Sequence, residues 1–399
     1  MVKKVKAQYL FFYILLFLGC FSFLGKENYL FLFASVITLF SVKKINILEF
    51  DFFAVFLLSV SSFFASLIFY DINEAIKSIS FIMMYIAGKC YYDNSSDKSL
   101  FTKRVMSLIY VGSFAFVFLE LIFNFNLHNS DTTSRTLINV WTKTNISVTL
   151  VATISSIILS YSIAKLFFAK KKLWAFVFLI VTLFLNIKTA TRTPFVLCVI
   201  LIVVCLFAKY RGKPKSEKPK YLLVCIIMII AVSAGIAFNA FGIRDYIVNT
   251  DLYERFAGNS NSESRIRISV MHFKYMLSSV WGGGKIHEIT GYYGHNWIQD
   301  GYDLYGILAL ISTCFLTVSI FISVLKMIKM KNRNENDTIL MILVFGTTVA
   351  LLVEPVFSGY PSFICTVLFL KGIMNSMLKD LSGSCNENSL TCENRGTSS

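Results

Sequence analysis

Apolar runs of roughly 20 residues recur from one end of this chain to the other, the length that crosses a ~30 Å hydrocarbon core. A soluble helical fold needs a polar face on each helix, and these runs lack one. Composition agrees: 56% of the 399 residues are hydrophobic and 15% are charged, against about 25% charged in soluble proteins. The expected fold is therefore all-α, a polytopic membrane protein with about twelve transmembrane helices. The spans are expected at 8–24, 28–42, 50–70, 72–88, 104–124, 145–167, 173–188, 194–208, 221–240, 302–325, 338–354 and 361–378. The second is short enough to be tilted or re-entrant. Transmembrane helices 1–9 thus occupy 1–240 and helices 10–12 occupy 302–378. Between them lies one large loop, 241–301, and the polar tail 379–399 is expected to be disordered.

The net charge of +15 sits mostly in short loops between spans. That placement argues against nucleic acid as a partner and instead sets orientation. Lys3/Lys4/Lys6, Lys43/Lys44, Lys103/Arg104, Lys170–Lys172, the run from Lys209 and the run from Lys326 fall on one side, which the positive-inside rule makes cytoplasmic. Both termini are then cytoplasmic. The loops at Tyr70–Asn73 and Glu354–Pro361 carry no Lys or Arg and face outward, as does 241–301. Arginines in that large outer loop depart from the charge bias. Long loops translocate regardless of charge, so a ligand is the better reason for them. Most of the cysteines lie inside apolar runs with no CxxC, which excludes a disulfide framework and a zinc site.

The large loop holds three of the four histidines, His272, His287 and His295; the other is His128. Four features in and around it bear on chemistry. Thr193-Pro194 reads as a helix start, which sets Arg192 beside free N–H groups, an arrangement suited to phosphate or to simple interfacial snorkelling. From Ser262 a helix would put Arg265, Ser269 and His272 on one face and Arg267 nearly opposite; an amphipathic helix lying on the membrane explains the same pattern. Trp281-Gly-Gly-Gly-Lys285 lacks the spacing of a phosphate loop and reads as a flexible turn. His295-Asn296 precedes a span, where an imidazole is placed for proton transfer or for a loop hydrogen bond, with Asp300 and Asp303 following to orient it. Elsewhere, Glu74 and Lys77 pair at i, i+3. Glu120 near a span end is as readily structural as functional. The outer loop with His128 and Arg135 could cover a substrate.

Taken together, Thr191-Arg192-Thr193-Pro194, the arginines Arg255 or Arg265/Arg267, and the segment from His295-Asn296 to Gly306 resemble the O-antigen polymerase and O-antigen ligase families of bacterial membrane glycosyltransferases. Those families often have Glu before the final glycine, where this chain has Asp303 displaced by a residue. The resemblance implies a C-type glycosyltransferase-like helical fold in the bacterial inner membrane. It implies a glycan on undecaprenyl pyrophosphate as donor, attack by an acceptor hydroxyl on the anomeric carbon, and no cofactor or metal. On that basis His295, Arg192 and Arg265 are the expected catalytic residues, and Arg255, Arg267, Asn296 and Asp303 bind substrate. Arginines would stabilise charge developing on the leaving pyrophosphate, while His295 would activate or orient the acceptor. The resemblance also implies a chain-length regulator and a flippase as neighbours.

Polymerase and ligase differ only in acceptor, and the looseness of the motif favours the polymerase. A lipid-linked oligosaccharide transporter is the rival of a different class. It calls for charged residues along a central cavity and for related halves, whereas the charge here is expected to concentrate in the outer loop and no internal repeat is evident.

Overall fold

The computed structural model describes residues 7–41, 49–124, 136–189, 191–212, 214, 216–219, 260–330 and 333–393. The expected ninth span at 221–240, Arg255, His128 and Arg135 lie outside the described residues. Eight helices precede the large loop: α1 (Ala7–Cys20), α2 (Glu27–Ser41), α3 (Phe50–Phe69), α4 (Ile72–Asp93), α5 (Lys98–Asn124), α6 (Val148–Phe168), α7 (Leu173–Lys188) and α8 (Thr193–Gly212). The described part of the loop and the C-terminal part hold α9 (Ser260–Lys274), α10 (Lys285–Thr290), α11 (Trp297–Tyr305), α12 (Ile307–Lys329), α13 (Glu335–Leu351) and α14 (Pro361–Glu393). Helices therefore stand at every expected span that is described. Six of them (α3, α5, α6, α8, α12 and α14) are long and apolar enough to cross a membrane.

The helices begin where local chemistry lets them. Asp71 caps α4 by accepting from Glu74 N–H at 2.9 Å, and Ser147 caps α6. Asn334 and Asp337 form a reciprocal capping box on α13. Pro361 opens α14, where a missing N–H costs nothing. In the packing, α14 lies against α4, α4 against α3, and α13 against α6. Helix α14 is the most enclosed span, whereas α7 and α8 present Trp174, Phe176, Ile180, Val199 and Val203 outward. So large an apolar surface is unfit for water and suits hydrocarbon.

Three departures from the sequence reading are physical. A short hairpin, β1 (Thr136–Ile138) paired antiparallel with β2 (Asn145–Ser147), interrupts the all-α pattern. Asn124 holds it through both backbone groups of Ile138, and the buried Glu120 accepts from Val140 N–H at 2.9 Å. Glu120 is thus a structural anchor. The tenth span starts at Ile307 rather than 302, because Gly306 breaks the chain at φ 83°; a Cβ there would lie 2.5 Å from the Val280 carbonyl oxygen. Finally, the tail expected to be disordered from 379 continues α14 as far as Glu393. No proline interrupts it, and extending a formed helix adds one bond per residue fixed.

The bundle has two ends. One, the loop end, gathers Gly25, Tyr70, the hairpin, the turn before α8, residues 275–306 and the loop 352–360. The other, the basic end, carries Lys98, Lys209, Arg333 and Lys379. Charge is not confined to the outer loop. Glu49, Asp51, Lys89 and Lys371 form a buried or half-buried cluster toward the basic end. Its members come from positions as distant as Glu49 and Lys371, which no periodicity reveals.

Candidate active site at the loop end

Residues 275–306 fold as a staple across the bundle. Gly282, Gly283 and Gly284 all have positive φ, a backbone state that other residues resist. Gly283 N–H donates to the Leu304 carbonyl at 3.0 Å and Gly284 N–H to that of Asp303 at 2.9 Å. A Cβ at Gly282 would meet the Leu304 carbonyl oxygen at 2.4 Å. The segment is a turn, as expected, but it is pinned along α11 rather than flexible.

Asp303 completes the staple. Its carboxylate accepts from Ser279 Oγ at 2.6 Å, Ile286 N–H at 2.8 Å and His287 N–H at 3.0 Å. It serves as a remote cap for α10, whose N-cap position is the side-chain-less Gly284. Asp303 is buried with its acceptors engaged in holding this turn. The Asn296 side chain accepts from Gln299 N–H at 2.9 Å and caps α11.

The remaining candidates lie on three segments. Arg192 is half-buried, and its carbonyl accepts from Phe195 N–H at 3.1 Å, so it stands at the start of α8 as the sequence indicated. Thr193 beside it donates to Glu354 Oε1 at 2.6 Å. His295 is half-buried one residue before the α11 cap. Arg267 is exposed on α9, and of Arg265 only the backbone is described. On α9 His272 turns inward: it is buried and donates from Nε2 to the Tyr292 carbonyl at 3.2 Å. Burial holds its imidazole below the ordinary histidine value. Ile266, Val270, Phe273 and Leu277 form an exposed apolar stripe. That is the pattern of a helix lying in a membrane interface.

What joins the two candidate segments is the loop between α13 and α14. Glu354 binds it to the residue after Arg192. Ser358 N–H donates to Asp300 Oδ2 at 3.0 Å, five residues after His295. Asp300 is buried, and desolvation pushes its carboxyl up to about 7. Phe357, from the same loop, stacks on the buried Trp297.

Beside this junction lies a cavity of about 470 Å³. Tyr29, Tyr70, Tyr293, Tyr305 and Phe357 supply aromatic walls, and Lys26, Glu27, Glu74, Lys77 and Ser358 supply polar groups. Lys77 pairs with Glu74, as their spacing implied. Burial pushes the Tyr70 and Tyr305 phenols up, so both stay neutral donors. Of the residues singled out from sequence, Glu74 and Lys77 line this cavity, whereas Arg192, Arg267, His295, Asn296 and Asp303 are not among its lining residues. The histidine with the clearest link to it is His287, whose ring stacks on Tyr293 at 3.8 Å between centroids and 10° between planes. No polar partner pattern surrounds His287 in the sequence. The signal was the glycine turn at 291, which returns the chain so that residues 287 and 293 meet. Glu354 was also missed, although a lone carboxylate at a span end is a functional or anchoring residue by default.

Among the described residues no group of three or more His, Cys, Asp or Glu side chains stands together as a metal site. No protein-family model matches this chain, and no curated protein matches it.

Proposed function

We propose that the chain is a membrane glycosyltransferase that polymerises undecaprenyl-pyrophosphate-linked O-antigen repeat units at its loop end. The supporting observation is the single loop 352–360, bonded at Glu354 to the Arg192 segment and at Ser358 to the His295–Asp300 segment, beside a cavity with tyrosine walls. Aromatic faces with a few convergent polar groups suit a ligand that is part apolar and part hydroxylated. In the proposed reaction an acceptor hydroxyl oxygen bonds to the anomeric carbon and its proton passes to an imidazole. The bond from that carbon to the pyrophosphate oxygen breaks, and the pyrophosphate departs with the electron pair. Arg192 stabilises the departing charge. His295 is the base, with His287 as its competitor on the strength of the Tyr293 stack.

Base assistance contributes about 10²–10⁴-fold, so loss of the correct histidine removes activity at normal protein levels. The test is a lipopolysaccharide gel from the native host with the gene deleted, complemented by wild type, His295→Ala or His287→Ala. Core bearing one repeat unit without a ladder, rescued by wild type and by only one histidine variant, is the expected result and identifies the base. An unchanged ladder on deletion removes the assignment. Bare core with polymer left on the carrier would make the protein a ligase. A second reading, transport of a lipid-linked oligosaccharide, is favoured by the buried charges toward the basic end; it predicts bare core with unpolymerised units held on the cytoplasmic side.

A further inference from the structure

A groove of about 520 Å³ opens at the basic end, between the first turn of α3, the last turns of α12 and the middle of α14. All three helices are long and apolar enough to cross a membrane, and the groove lies at the ends of their apolar stretches. That is the depth of a lipid headgroup. One wall is apolar: Phe50, Phe315, Val318, Ile322 and Leu378, with Phe50 82% and Val318 58% exposed.

The polar side carries an excess of positive charge. Glu49 accepts from Lys89 at 2.8 Å and pairs also with Lys379. Asp51 accepts from the fully buried Lys371 at 2.9 Å, from Asn375 Nδ2 at 2.5 Å and from Ser319. The two carboxylates are thus already engaged by three ammonium groups. Lys326 lines the same groove and forms no ion pair among the described residues. Four ammonium groups face two carboxylates, which leaves two positive charges beside an apolar wall.

We propose that this groove binds an anionic phospholipid of the surrounding membrane, with the phosphate at Lys326 and Lys379 and an acyl chain along Phe50, Val318 and Ile322. The charge excess suits a phosphodiester: Glu49 keeps Lys89 and Asp51 keeps Lys371 when Lys379 turns to the phosphate. The site is independent of the transfer reaction at the opposite end. It gives the bundle a preference for the lipid composition of one leaflet.

The test uses the full chain, purified in neutral detergent and stripped of lipid, then titrated with phosphatidylglycerol or phosphatidylcholine while retained lipid is counted by native mass spectrometry. Wild type is expected to retain phosphatidylglycerol in preference. One ammonium beside an anionic headgroup is worth about fivefold, so Lys326→Gln should lose roughly that factor and Lys326→Glu more. Lys285→Glu at the loop end should lose nothing. Lys326 is exposed, so these variants fold, and a melting curve in phosphatidylcholine equal to wild type checks it. Equal retention of both lipids by wild type, or undiminished retention by Lys326→Glu, overturns the proposal. Competition by free glycerol phosphate as strong as by the whole lipid overturns the role of the apolar wall.

Discussion

The two ends of the bundle both bury carboxylates, but they satisfy them differently. At the loop end, Asp303 accepts from two backbone N–H groups and a serine, and Asp300 from the backbone of Ser358. At the basic end, Glu49 and Asp51 meet lysine ammonium groups. A carboxylate bonded to main chain fixes the course of a loop. A carboxylate bonded to a lysine on another helix fixes how two helices meet. The loop end is thereby shaped for a site, and the basic end for cohesion between α3, α4 and α14.

The contrast is broken most directly at Lys371. Lys371→Met leaves Asp51 buried without its ammonium partner and should destabilise the fold by about 3–5 kcal/mol, because an uncompensated charge remains. Adding Asp51→Leu should recover most of that. Unfolding in detergent measures both; a single variant as stable as wild type would mean that the pair does not join the helices.

Asp303→Ala is the matching change at the loop end. It orphans the N–H groups of Ile286 and His287, at about 1–3 kcal/mol for a buried group left unsatisfied. The damage should be local. Limited proteolysis should cut within 276–290 much faster while the melting of the bundle moves little. A global collapse would erase the distinction between the two ends.

The smallest effect sharpens the contrast through pH. Asp300 in the folded chain holds its proton up to about 7, while an unfolded carboxyl releases it near about 4. Between those values only the folded state keeps the proton. Its contribution to stability is therefore complete below about 4 and lost as pH rises through about 7. Asp300→Asn keeps an acceptor for Ser358 N–H and should flatten that fall. Parallel stability curves for variant and wild type between pH 5 and pH 8 (about the span of the titration) would refute it.

These residues also mark what a sequence can reveal. The extents of α3 and α7 and the start of α8 beside Arg192 were legible, because hydrophobic length and a Thr-Pro start are local signals. The Glu74–Lys77 pair was legible for the same reason. The partners of Asp303 are backbone groups 16 and 17 residues away, brought near by three left-handed glycines, so its anchoring role was hidden. Asp51 and Lys371 sit in separate apolar runs and meet only once the bundle is assembled. The capping role of Asn296 was not singled out, because capping and binding call for the same side chain.

The loop from Glu354 to Ser358 sets a gauge. Four residue steps reach at most about 14 Å when fully extended. While both hydrogen bonds hold, the carboxylate that grips Thr193 and the amide that grips Asp300 cannot part by much more than that. Chain length, rather than side-chain packing, then sets the widest separation of these two segments, and any wider one must break one of the two bonds.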